Sequence, residues 1–153
     1  MATRSSISIR NEDGSYTGIY CHWDGYLSYN GHILETAYTD EAKIRQLMEL
    51  GDLSSLGTEI GEQHEFRNPH KLNSPEYQEW ENRHSNWCTA FARDRGEKNT
   101  QADNYRTMQD LLGKLGQEYD YLWDGKGWSV RCYATGTRFV SLSEARRIEA
   151  ERN

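Results

Sequence analysis

The densest run of chemically able side chains is Tyr20-Cys21-His22-Trp23-Asp24-Gly25-Tyr26. His22 and Asp24 stand two apart at the end of an expected strand, so both point to one side. A His–Asp pair is half of a general-base device. No nucleophile is nominated to complete it. The plainer reading has Trp23 and Tyr26 as core aromatics and His22 and Asp24 tying down a turn, and no residue is assigned a catalytic role. A second constellation, Phe91-Ala92-Arg93-Asp94-Arg95-Gly96-Glu97, sets two arginines around an aspartate. Arginine offers a planar fork for carboxylate or phosphate, and a neighbouring aspartate can hold that fork in place. The alternative is a surface ion-pair turn.

The tetrads Trp23-Asp24-Gly25-Tyr26 and Trp123-Asp124-Gly125-Lys126 are alike. With the Arg-Asp-Arg turn they could line one rim of a sheet. In such a pocket Arg93 and Arg95 would take phosphates, and Trp23, Tyr26 or Trp123 would stack on a base beside Asp24. Metal chemistry finds little support: His64, His70, His84 and Cys88 form the run H-x5-H…H-x3-C, which matches no dense zinc pattern of two ligand pairs each two to five residues apart. The chain also lacks a G-x-x-x-x-G-K-[ST] phosphate loop, a G-x-S-x-G elbow and a G-x-G-x-x-G turn. No cofactor is expected.

These side chains need elements to carry them. Ser6 to Arg10 alternates with period two, Asn11-Glu12-Asp13-Gly14 is turn chemistry, and Tyr16 to His22 is a second strand, so the chain opens on a hairpin. Ile33, Leu34, Ala37 and Tyr38 fall at helical spacing behind Gly31. Residues 40–50 form a clear helix, with Thr39 as N-cap, one stripe of Ile44, Leu47 and Met48, and Gly51 past its end. From Glu62 to Asn86 Leu72 is the lone aliphatic residue, while both prolines and three of the five histidines collect there. This polar excursion, about 62–86, leaves the core either as a surface loop or with a short helix opening at Ser74-Pro75. In the helical case Tyr77, Trp80 and His84 share the inner face. Beyond it the pattern predicts a strand over 87–93, a helix from about 102 to 115 capped by Thr100 and Asp103, a hairpin over 119–134, and a last helix over 142–151 capped by Ser141 and Glu144. Hairpin-compatible strands without βαβ alternation point to an α+β fold: an antiparallel sheet of about five strands, with three to four helices mainly on one face.

Composition bounds the rest. A chain of 153 residues suits a single domain, 1–153. Leu, Ile, Val and Phe make up 24 residues, which is sparse, but ten Tyr and five Trp can build a core that keeps polar handles. No stretch is long and apolar enough for a membrane span, and the first residues lack the apolar region of a signal peptide. Three scattered cysteines suit buried free thiols in a reducing cytoplasm. A net charge of −6 leaves no basic footprint for direct nucleic-acid binding.

The segments Ile19 to Tyr26, Leu50-Gly51-Asp52-Leu53-Ser54-Ser55-Leu56-Gly57 and Ala92 to Glu97 together resemble a group of small proteins encoded by tailed phages and prophages. The likeness begins at Ala2 and runs through most of the chain, the excursion excepted. It implies by analogy an accessory protein acting in the cytoplasm of an infected bacterium against host defence, of the anti-CRISPR or anti-restriction kind. The expectation is a non-enzymatic inhibitor that binds a nucleic-acid-gripping nuclease complex. The acids of the excursion would face the basic channel of that partner, through Glu76, Tyr77, Glu79, Trp80 and Glu81. The alternative is a sponge for a nucleotide immune signal built on Arg93 and Arg95; a hydrolase using His22 and Asp24 ranks third.

Overall fold

The computed structural model describes residues 2–152. Its opening hairpin, β1 (Ser5–Arg10) and β2 (Tyr16–Cys21), forms because Asn11 and Gly14 close the turn and Ile7 and Ile19 face each other across the pair. β1 is the middle of the sheet. Its second neighbour is β6 (Tyr119–Trp123), which runs parallel to it, and β6 pairs antiparallel with β7 (Trp128–Cys132) and through it with β8 (Val140–Ser141). On the other flank β2 is joined in parallel by β3 (Leu53–Ser55), whose antiparallel partner is β4 (Thr89–Ala90). β5 (Asp103–Tyr105) completes the eight strands seen among the described residues.

The class is α+β, but the sheet is larger than about five strands and mixed, where an antiparallel one was expected, and five α-helices stand among the described residues where three to four were expected. The parallel pairs arise because the chain leaves the hairpin, builds helices on one face, and returns to the centre from the far side.

That face carries the main core. A π-helical turn over Leu27–Gly31 runs straight into α1 (His32–Ala37); α2 (Glu41–Leu50) follows. Asp40, rather than Thr39, accepts the capping bond from Ala42 N, and Gly51 ends the helix at φ 76°. Ile44, Leu47 and Met48 meet Ile7, Ile9 and Ile19 beneath them, and Leu142 and Ala145 of α5 (Leu142–Arg152) pack into the same layer. Tyr38 and Tyr121 are wholly buried there, and each hydroxyl donates to a carbonyl, Gly57 O at 2.7 Å and Gly25 O at 2.6 Å. Tyrosine thus supplies core volume that aliphatic residues would otherwise provide. The three thiols are buried and unpaired.

The opposite face is covered by residues 105–118 and not by an α-helix. The helix expected over 102–115 is absent. Asp103–Tyr105 pairs instead with the free edge of β2, Tyr16 opposite Tyr105, and Asn99, Gly113 and Gly116 take left-handed φ values that interrupt helical geometry. Only one 3₁₀ turn, Met108–Leu111, remains, and its capping box is Thr107 with Asp110. Satisfying the edge of a sheet outweighs helical spacing of apolar residues. Likewise the strand expected over 87–93 stops at Ala90, and Phe91–Arg95 turns into α4, ended by Gly96 at φ 70°.

Candidate functional site

The excursion builds the candidate site. Within it α3 (Pro75–His84) forms for local reasons. Ser74 accepts from Tyr77 N at 3.1 Å, Pro75 needs no backbone donor in the first turn, and Arg83 and His84 stand on the negative end of the dipole. No residue of α3 is fully buried. Tyr77, Trp80 and His84 are half-buried along its inner side, while Glu76 and Glu79 are exposed on the outer one. Glu81 is not solvated as expected: it accepts from Asn68 Nδ2 at 3.1 Å, and the same amide nitrogen donates to Tyr77 O, which staples the helix to the loop before it. Glu79 and Arg83 approach to 3.9 Å at i,i+4, an exposed contact of little energetic weight.

Between α3 and the sheet edge lies a groove of about 450 Å³, walled by Tyr77 and Trp80 on one side, Tyr29 and Leu56 on the other, with His64 and Trp87 below. Aromatic contacts pack the inner wall: Trp80 to His84 at 4.3 Å, His84 to Trp87 at 4.9 Å, and His64 stacked on His84 at 5.1 Å between centroids. Underneath, Asp94 is sealed from solvent and accepts from Ala90 N, His64 N and both Nε and Nη2 of Arg93. Arg93 extends the latch by donating from Nη1 to Ile60 O and from Nη2 to Cys88 O. The pair therefore ties both ends of the excursion to the start of α4.

His64, only 3% exposed, sits on this latch. Its Nδ1 faces Glu62 O at 2.9 Å; a carbonyl only accepts, so Nδ1 carries the proton, and Nε2 takes the hydroxyl proton of Thr89 at 3.3 Å. Asp94 Oδ1 lies 3.5 Å from Nδ1, so a hydroxyl, an imidazole and a carboxylate stand in line. The proton that would face the carboxylate in a nucleophile-activating relay goes mainly to the Glu62 carbonyl here, and the ring acts as a loop anchor.

The second set of expected residues does not converge. Trp23 and Tyr26 are partly exposed beyond the end of β2, level with Ser5 of β1. Trp123, 8% exposed, is level with Ile9, four residues further along β1. At roughly 3.3 Å per residue the two Trp-Asp-Gly turns sit at opposite ends of the sheet, about 13 Å apart along the strands, so they share no rim. Arg93 has a protein acceptor on Nε and on both Nη atoms, and is not an outward phosphate fork. Arg95 is exposed, pairs with Glu97 at 2.5 Å and lies over the Phe66 ring at 4.4 Å. Asp24, at φ 59°, accepts from Tyr26 Oη at 3.3 Å, whereas His22 Nδ1 meets Tyr20 Oη at 2.7 Å, so His22 and Asp24 do not pair.

Sequence reasoning missed the latch itself. Its signal was present in the adjacency of Arg93 and Asp94, but nothing local distinguishes an inward pair from a surface one. Among the described residues no three His, Cys, Asp or Glu side chains converge to hold a metal, and no helix is long and apolar enough to cross a membrane. No family model, curated protein or solved structure matches the chain.

Proposed function

We propose that the protein is a non-enzymatic, phage-encoded inhibitor of a bacterial defence nuclease, acting by laying α3 against the positively charged surface with which that nuclease grips nucleic acid. The observation that carries this reading is the build of α3. A capped helix, in a segment latched at both ends, stands clear of the core, with Glu76 and Glu79 exposed and Tyr77 and Trp80 half-buried on its flank. Half-buried aromatics beside exposed charge are the composition of interface anchors, and the charge itself suits steering toward a basic channel. The net charge of −6 and the resemblance of three segments to small phage proteins support the same reading.

The nucleotide-sponge alternative is weaker, because its two tryptophan turns sit at opposite ends of the sheet and Arg93 is internally occupied. The test is a cleavage assay on a panel of RNA-guided and restriction nucleases. Glu76→Lys with Glu79→Lys should abolish inhibition of the sensitive nuclease while changing stability by under about 0.5 kcal/mol, as exposed positions do. Glu81 is left intact because it holds Asn68. Binding should also weaken between about 0.05 and 0.3 M salt. Inhibition that survives both charge reversals, or no nuclease inhibited at all, would overturn the proposal.

A further inference from the structure

The groove between α3 and the sheet edge has a lining of unusual make-up. Glu76 and Glu79, on the outer side of α3, take no part in it. Leu56 is its one aliphatic side chain, and aromatic rings and hydrogen-bonding groups supply the rest. Among the described residues no cation lies over Tyr29, Tyr77, Trp80 or Trp87, whereas Arg95 covers Phe66. The inner rings are held by one another, since Trp80 and Trp87 both pack on His84, at 4.3 and 4.9 Å between centroids. Trp80 and Trp87 Nε1, the Tyr29 and Tyr77 hydroxyls and Glu81 Oε2 hydrogen-bond to nothing among the described residues, and none is sealed from water. Histidines apart, the charged residues of the lining are Arg67 and Glu81, one of each sign.

These properties select among ligand classes. A lipid tail or an apolar peptide side chain needs aliphatic walls, and would dehydrate the indole and phenol groups without pairing them. A phosphate-bearing or strongly cationic ligand meets no net field, because Arg67 and Glu81 offset each other. A pyranose ring suits both kinds of surface at once. Its C–H bonds, positive at hydrogen, meet the negative faces of Trp and Tyr rings. Its rim of hydroxyls, each a donor and an acceptor, takes the indole N–H, phenol and carboxylate groups. We infer that this groove is a binding site for a short, uncharged pyranose oligosaccharide. Its volume of about 450 Å³ falls within the ~300–1,000 Å³ of small-molecule sites. Rings already fixed by packing spare the ordering cost of binding, which matters for a ligand without charge. The site works on the chain alone, so it stands or falls independently of the inhibitor reading.

The experiment titrates the full chain with cellobiose, maltose and N,N′-diacetylchitobiose. Three controls accompany them: sorbitol, a polyol without a ring; digalacturonate, an anionic sugar; and uridine, an uncharged aromatic ring. Saturation-transfer NMR reports which ligand protons make contact, and the indole ¹H–¹⁵N signals of Trp80 and Trp87 report the groove. Expected are a Kd of about 1 mM or tighter for at least one neutral disaccharide and shifted Trp80 and Trp87 signals. Saturation should be strongest on the ring C–H protons, and the controls should bind at least about tenfold more weakly. Tyr29→Ala, at an exposed position, should keep the melting temperature and weaken the disaccharide about fivefold, the scale of one truncated aromatic anchor. Trp80→Phe keeps a ring in the wall but removes its N–H, and should also weaken binding. The inference is overturned if no disaccharide binds, if any control binds as tightly as the best disaccharide, or if both variants leave Kd unchanged.

Discussion

Asp94 shows how much one side chain carries here. It has no exposed surface, and four donors converge on it from β4, the excursion and Arg93. Removing one partner of such a pair leaves the other charge desolvated, so Asp94→Ala should destabilise the protein by about 3–5 kcal/mol, measured by urea denaturation. Arg95→Ala, one residue on but exposed, should cost under about 1 kcal/mol. A result in which the two variants match would show that the latch does not hold the excursion. Titration makes a second residue-scale prediction. Burial pushes the Cys21 thiol up to about 12, and burial likewise raises the Tyr38 and Tyr121 phenols. In the unfolded chain the thiol ionises near pH ~8.5 and the phenols near ~10. The raised folded values mean that their stabilisation is complete below about pH 8.5 and is lost as pH rises from there toward 12. Urea midpoints should therefore hold steady from about pH 7 to 8.5 and fall above that, and the thiols should resist a thiol reagent until unfolding. A midpoint that rises between about pH 9 and 11 would contradict the assignment.

At the scale of elements, α3 is the instructive case. It makes no fully buried contact, so its helicity leans on local terms: the Ser74 cap, Pro75 in the first turn and the Asn68 staple. Ser74→Ala should cost about 1 kcal/mol of α3 stability. Because the helix opens by itself more easily than the sheet, the loss should appear as faster amide exchange within residues 77–84, with β1 and β6 amides unchanged. Uniform acceleration through the sheet would mean that α3 is part of the core unit. The same element explains why a groove exists at all. Arg93 and Asp94 tie the two ends of the excursion, and aromatic rings pack the inner side of the helix, leaving the groove between them.

For the whole molecule, the decisive contact is the parallel pairing of β1 with β6, Ser5 opposite Tyr119 and Ile9 opposite Trp123. The first strand thus completes its hydrogen bonds only after residue 119 has been made. A chain truncated after residue 106 lacks β6, β7 and α5, so it exposes Ile7 and Ile9 beside an unpaired strand and should show no cooperative thermal transition by circular dichroism. Long sequence separation also slows closure, and the intact protein should fold in milliseconds to seconds, not microseconds, in stopped-flow refolding. A cooperative fold of residues 2–106 would disprove the central role of that pairing.

Chemistry that acts between near neighbours is legible in the sequence alone. The hairpin over Ser5–Cys21, α2 with its stripe, the β6–β7 hairpin and the Ser141 cap of α5 are each specified within a dozen neighbouring residues, while Ser74-Pro75 marks where α3 can start but leaves helix and loop both open. Turn residues, caps and periodicity act over that range. The same is true of the aromatic core, since a chain poor in aliphatic residues has tyrosine and tryptophan left to bury. What the sequence could not express were contacts between distant segments. Residues 102–115 have helical spacing, yet the free edge of β2 claims Asp103–Tyr105. Arg93 and Asp94 look like an outward fork, yet His64, Ile60 and Cys88 turn them inward. Trp23 and Trp123 share a motif but lie at opposite ends of the sheet because β6 joins β1 in parallel. Asp120 and Arg131, buried cross-strand partners on β6 and β7, carry no local mark of that burial, because it depends on Met108 and Phe139 around them. Hydrogen-bond satisfaction of strand edges and desolvation of charge are properties of the assembled molecule, so only the tertiary structure decided them.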